Sequence, residues 1–78
     1  MSEGTMAADH IRDIRRRAEA AGVPMAQILL SAGVYRSTWW RWCLWLEGDP
    51  RGRYPRLETL EQIHEALAHH EAAASEGG

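Results

Sequence analysis

Arg36, Ser37, Trp40 and Arg41 fall within six consecutive positions and could together recognise a flat, polar, negatively charged surface. Arginine carries a planar fork of donors that fits a phosphate, or the paired acceptors on the edge of guanine. A serine hydroxyl bonds either partner, and an indole offers a face for stacking on a sugar or a thymine methyl. Arg51, Arg53 and Arg56 repeat the cation ten to fifteen residues after Arg41. All nine basic residues are arginine.

The formal net charge of −2 taken alone disfavours a polyanionic partner, but its distribution points the other way. Residues 1–34 set Arg12, Arg15, Arg16 and Arg17 against Glu3, Asp9, Asp13 and Glu19, which cancel. Residues 35–56 hold five arginines against Glu47 and Asp49, a surplus of +3. Residues 57–78 hold five glutamates and no arginine. Salt screens charge beyond about 10 Å at 0.1 M, so the local surplus outweighs the total.

Side chains of this kind need rigid elements to aim them, and the apolar spacing predicts four helices and no strand. The first runs from about Met6 to Ala21, burying Ile11, Ile14, Ala18 and Ala21, and Gly22 ends it. The second spans about Pro24 to Ser31, with Ile28, Leu29 and Ala32 as its apolar face. Gly33 then supplies a left-handed turn and Val34 fills the corner. The third helix covers residues 36–46 and stops at Gly48; Gly48–Pro55 is a loop by composition. The fourth runs from about Leu57 to His70 through Leu57, Leu60, Ile63 and Leu67. The expected organisation is an all-α, compact four-helix domain over residues 6–70, with a frayed N-terminus at 1–5 and a flexible tail at 71–78. Helix, Gly33 turn and helix have the layout of a helix-turn-helix, which presents its second helix to the major groove of DNA.

Advancing about 100° per residue from Trp39 places Trp42, Cys43 and Leu46 on the buried face of the third helix. Ser37, Trp40, Arg41, Leu44 and Trp45 fall on the other side. Trp39 and Trp42 are therefore expected in the core and Trp40 outside it. A rival reading takes Trp40, Leu44 and Trp45 as an exposed apolar stripe, a protein-interaction or oligomerisation module on the same scaffold.

The run Gly33-Val-Tyr-Arg-Ser-Thr38, followed by apolar Trp39 and Trp42, resembles the helix-turn-helix of lambdoid phage Cro proteins and repressors, the XRE-type family. The downstream Pro55-Arg-Leu-Glu-Thr-Leu-Glu-Gln-Ile-His-Glu-Ala-Leu67 is similar to that family's following segment. The resemblance covers roughly residues 10–68. It implies a lambda repressor-like fold and a transcriptional regulator that binds double-stranded DNA, often phage or prophage derived and often a homodimer. It also implies base contacts from Arg36, Ser37, Trp40 and Arg41 and a backbone contact from Tyr35, with Thr38 in the same DNA-binding set. Three departures stand out. Met25 replaces a glutamine that relatives often use on a phosphate, Leu29 replaces a small residue at the helix crossing, and Trp42–Pro55 is several residues longer. Within that longer segment Pro50-Arg-Gly-Arg53 resembles the AT-hook core, so Arg51, Arg53 and Arg56 are expected on the DNA backbone or in a minor groove.

Other chemistry finds little support. His64 and His69 are five residues apart and His69 and His70 diverge on a helix, so these side chains, with His10, are expected in solvent rather than on a metal. One cysteine, Cys43, allows no intramolecular disulfide. No nucleophile–base pair, phosphate-binding glycine loop or paired acids is present, so neither catalysis nor a cofactor is expected. Without a membrane-length apolar run or signal segment, the expected setting is the cytoplasm of a bacterial or phage-infected cell, at the nucleoid. Double-stranded DNA is the expected partner, with a second copy or another transcription protein beside it.

Overall fold

Three of the four helices end in one device. A glycine follows the last helical turn, its N–H returns to the carbonyl three residues back, and the next N–H returns five back. At the end of the second helix these bonds are Gly33 N to Leu30 O, 3.2 Å, and Val34 N to Leu29 O, 2.9 Å. Gly33 adopts φ 73°, ψ 28°, a conformation that costs any side chain bearing a Cβ. Such stops fix both the helix ends and the direction in which the chain leaves them.

The computed structural model describes residues 3–76. Within them lie α1 (Glu3–Ala21), α2 (Met25–Ala32), α3 (Arg36–Leu46) and α4 (Leu57–Glu76), with no strand. The α3 bounds coincide with those expected, and Pro24 caps α2 rather than opening it. Two helices are longer than their periodicity suggested. α1 begins at Glu3, so the frayed segment proposed for residues 1–5 is helical from Glu3 on. α4 continues past His70 through Glu71-Ala-Ala-Ala to Glu76, because alanine and glutamate favour helix even where no apolar face asks for it.

The molecule measures 41 × 27 × 20 Å. α4 lies against α1 and α2, and α3 touches α1 and α2. One cluster fills the centre: Ile11, Ile14 and Ala18 of α1, Ile28 and Leu29 of α2, Trp42 of α3, and Leu60, Ile63, Ala66 and Leu67 of α4. Each aliphatic side chain removed from water in this way contributes about 1.5–3 kcal/mol. Leu57, expected in the core, is exposed instead. It opens α4 above the end of the cluster, beside Met6 and Tyr54.

Of the four histidines only His69 is exposed as expected; His10, His64 and His70 have hydrogen-bond partners, and the first two join α1 to α4. His64 Nε2 lies 3.0 Å from His10 Nδ1, and Arg17 Nη1 lies 3.1 Å from His64 Nδ1. A guanidinium only donates. His64 must therefore accept at Nδ1 and donate from Nε2, and it is neutral. Arg17 also bonds the Glu71 carboxylate through Nε, 3.1 Å, and through Nη2, and it reaches Asp13 at 3.6 Å. His70 Nε2 lies 2.9 Å from the Ser31 hydroxyl on α2. No signal in the sequence pairs His10 with His64 across 54 positions.

Burial, followed by electrostatic repulsion from His10 and from the Arg17 guanidinium, pushes the His64 pKa below its usual 6.5; the Asp13 and Glu71 carboxylates pull weakly the other way. An unfolded chain then takes up a proton before the folded one does. Stability from this source is complete above about pH 6.5 and falls as the solution is acidified below it. Urea melts between pH 7.5 and 5 are expected to show that loss, and His64→Gln should remove the step. A wild-type profile flat over this range would contradict the neutral relay. Asp13 and Glu71 have lowered carboxyl pKa values through their hydrogen bonds to Arg16 and Arg17, so their contribution is lost only as the pH falls below about 4.

Candidate nucleic-acid interface

The exposed side of α3 carries Arg36, Ser37, Trp40 and Arg41, with Tyr35 just before it. Tyr35 is 80% exposed, and Thr38 is half-buried. Trp42, at 3%, is the buried indole of this helix. Trp39 is half-buried and meets Trp42 edge to face, with ring centres 6.0 Å apart. Trp42 inside and Trp40 outside follow their helical positions, whereas Trp39, expected at the centre of the buried face, lies at its edge.

Leu44 departs from that division. It was expected on the open side yet is buried, because Gly48–Pro55 doubles back across the outer face of α3. Arg53 N–H donates to the Arg41 carbonyl at 3.1 Å, and Asp49 N–H to the Leu44 carbonyl at 2.9 Å. Gly52 sits so close to α3 that a Cβ there would overlap the Trp45 backbone nitrogen and approach the Leu44 carbonyl carbon to 2.8 Å. Trp45 is half-buried, edge-on to Tyr54 with ring centres 5.0 Å apart. The apolar stripe expected of Trp40, Leu44 and Trp45 is therefore not on display; Trp40 alone remains open, at 51%.

Crossing α3 separates the two arginines of Arg-Gly-Arg. Arg51 turns toward Trp40, its guanidinium 5.7 Å from the ring centre. Asp49 holds it there through Oδ1 at 3.1 Å and Oδ2 at 3.0 Å, and Asp49 Oδ1 also accepts the Arg51 N–H at 2.8 Å. The Arg51 guanidinium beside it keeps the Asp49 carboxyl below its usual range. Arg53 takes the opposite side. With Arg41, Arg56, Thr38, Trp42, Tyr54 and Thr59 it lines a cleft of about 240 Å³ between α3 and the start of α4. Among the described residues no Cα of α3 comes within 8 Å of a Cα of α4, so this gap is open and the loop forms its side.

Ion pairing divides the arginines by location. Arg12, Arg16, Arg17 and Arg51 each lie beside an aspartate or glutamate. Among the described residues Arg36, Arg41, Arg53 and Arg56 have no carboxylate within ion-pair distance. Arg15 on α1 is likewise without one, so four of the five unneutralised arginines gather on α3, the loop and the residue before α4. Spacing alone revealed Arg36, Ser37, Trp40 and Arg41. It missed Thr59 and the Asp49 clasp on Arg51, although Asp-Pro-Arg at i and i+2 is a recognisable turn that brings such a pair together.

Among the described residues no three His, Cys, Asp or Glu side chains are grouped as a metal ion would require, and no helix is long and apolar enough to cross a membrane. Burial raises the Cys43 thiol pKa. No protein-family model, curated protein or solved structure matches the chain.

Proposed function

We propose that this protein is a sequence-specific double-stranded DNA-binding transcriptional regulator of the phage or prophage Cro/repressor kind. In this reading α2, the Gly33 turn and α3 are a helix-turn-helix, and α3 enters the major groove. The observation that carries it is the gathering of Arg36, Arg41, Arg53 and Arg56, all without carboxylate partners, around one exposed helix that also presents Ser37 and Trp40. Fixed positive charge is what a polyanion selects, and exposed side chains on a rigid helix are what base edges select. Arg36, Ser37 and Arg41 read bases, and Tyr35, Thr38, Arg53 and Arg56 hold the backbone. Arg51 contributes once Asp49 releases it. The loop's attachment to α3 favours backbone contact over insertion of Arg-Gly-Arg into a minor groove. A homodimer on a near-palindromic operator, or a second transcription protein, fits the same reading, and the setting is the bacterial nucleoid.

The covered state of Leu44 and Trp45 weighs against the interaction-module alternative, because a lone Trp40 makes a small patch. Arg41→Ala tests the choice. On a site selected from a random duplex pool, the variant is expected to lose about 1–3 kcal/mol of binding and to relax specificity at one position. Binding to unselected duplex should fall much less. Equal loss on both would reduce Arg41 to a phosphate contact, and no duplex binding by the parent at low salt would end the DNA reading.

A further inference from the structure

We propose that the cleft between α3 and the start of α4 is a seat for one phosphodiester group of a nucleic-acid backbone, completed by Arg53 from the loop. The proposal rests on the DNA-binding reading and names a contact within it. The guanidiniums of Arg53 and Arg56 line the cleft beside Arg41, whose own guanidinium is turned to base edges in that reading, and no carboxylate lines it. Holding like charges around one cavity is unfavourable unless an anion joins them. Thr38 and Thr59 add hydroxyl donors, and donors of both kinds suit a tetrahedral oxyanion.

The cleft also meets the beginning of α4, a helix of 20 residues. The first N–H groups of a helix lack carbonyl partners within it, and the dipole adds positive potential there. Arg56 and Thr59, both on the cleft wall, flank those N–H groups.

What separates this arrangement from a loose basic surface is how Arg53 is held. Its N–H bonds the Arg41 carbonyl, and Gly52 beside it rests on the backbone of Leu44 and Trp45. The loop thus delivers Arg53 at a fixed place, and a prepositioned donor spends less conformational entropy on binding. The cleft opens beside the exposed Arg36, Ser37 and Arg41 face, which favours a link in a polymer lying along α3 over a free ion.

The test uses the full chain, a labelled random-sequence duplex and salt from 50 to 200 mM. Arg53→Gln keeps the backbone N–H that pins the loop but removes the charge. It is expected to weaken duplex binding uniformly across sequences and to lower the slope of log affinity against log salt by about 0.9, the signature of one lost phosphate. Arg53→Lys should restore most of that slope. Arg56→Gln should act like Arg53→Gln, and the two together should cost less than the sum of each alone, because both serve one group. Unchanged slopes in both glutamine variants, with duplex binding intact, would overturn the seat and leave the DNA reading standing.

Inorganic phosphate supplies the second arm, followed by NMR at the amides of Thr38 and Thr59. Shifts at millimolar phosphate that vanish in Arg53→Gln support the seat when duplex competes with them. Shifts that duplex does not displace would assign the cleft to free phosphate and overturn the phosphodiester. Failure of the parent to bind duplex at any salt would instead remove the underlying reading.

Discussion

Trp42→Ala is expected to destabilise the protein by about 3–5 kcal/mol, enough to leave a domain of this size largely unfolded at 37 °C. The indole is 3% exposed and is the only member that α3 contributes to the fully buried cluster. Removing it leaves a cavity bordered by side chains from the other helices, and Trp39 loses its edge-to-face partner. The matching control is Trp40→Ala. That ring is half exposed, and the Arg51 guanidinium lies over it, so the melt should move by no more than about 1 kcal/mol. Guanidinium melts of the two variants followed by circular dichroism check the contrast. Equal shifts would mean that α3 is rotated from the orientation described.

Gly52→Ala is the second substitution with a large expected effect, and its mechanism differs. The added methyl would overlap the Trp45 backbone nitrogen, an atom held in a helix that cannot step aside as a flexible side chain could. Either the helix distorts, at about 1–3 kcal/mol, or the loop lifts away. If the loop lifts, Leu44 returns to water and Tyr54 leaves Trp45. Gly52→Ala is therefore expected to lower the melting temperature, to raise exchange of the Arg53 amide, and to weaken duplex binding through loss of Arg53 from the cleft. An unaltered melt together with an unaltered Arg53 amide would show that the loop does not lie on α3. Gly52→Ala thus moves the loop and leaves every charge in place, the converse of Arg53→Gln.

Much of the framework was legible in the residues. Gly22, Gly33 and Gly48 mark the three helix stops, and Ile11, Ile14, Ala18, Ile28, Leu29, Trp42, Leu60, Ile63 and Leu67 reach the core their spacing implied. These features are local, or depend on one helix face at a time. The illegible parts depend on where one segment lands on another. Leu44 reads as exposed on an isolated helix and is buried only because a glycine lets the loop approach. Leu57 reads as core by period and fails because α4 begins beyond the cluster. His10 and His64 meet because α1 and α4 run side by side. For the candidate site, residue types and helix position found the exposed α3 face. Neither could foresee that Arg51 and Arg53 would part to opposite sides of it, with Asp49 claiming one and the cleft the other.

The same adjacency of α1 and α4 has a consequence for the order of assembly. α1 meets α2 and α3 only lightly and makes most of its contacts with α4, as do the Arg17–Glu71 and His10–His64 links, each spanning 54 positions. While the chain is being synthesised, Ile11 and Ile14 therefore have no completed surface to bury against until Leu60, Ile63 and Leu67 have left the ribosome. Joining segments so far apart carries a loop-closure cost that only the finished core returns. α1, made before α2, α3 and α4, is thus among the last of the four to gain its partners, and the domain folds as one event after α4 emerges rather than helix by helix.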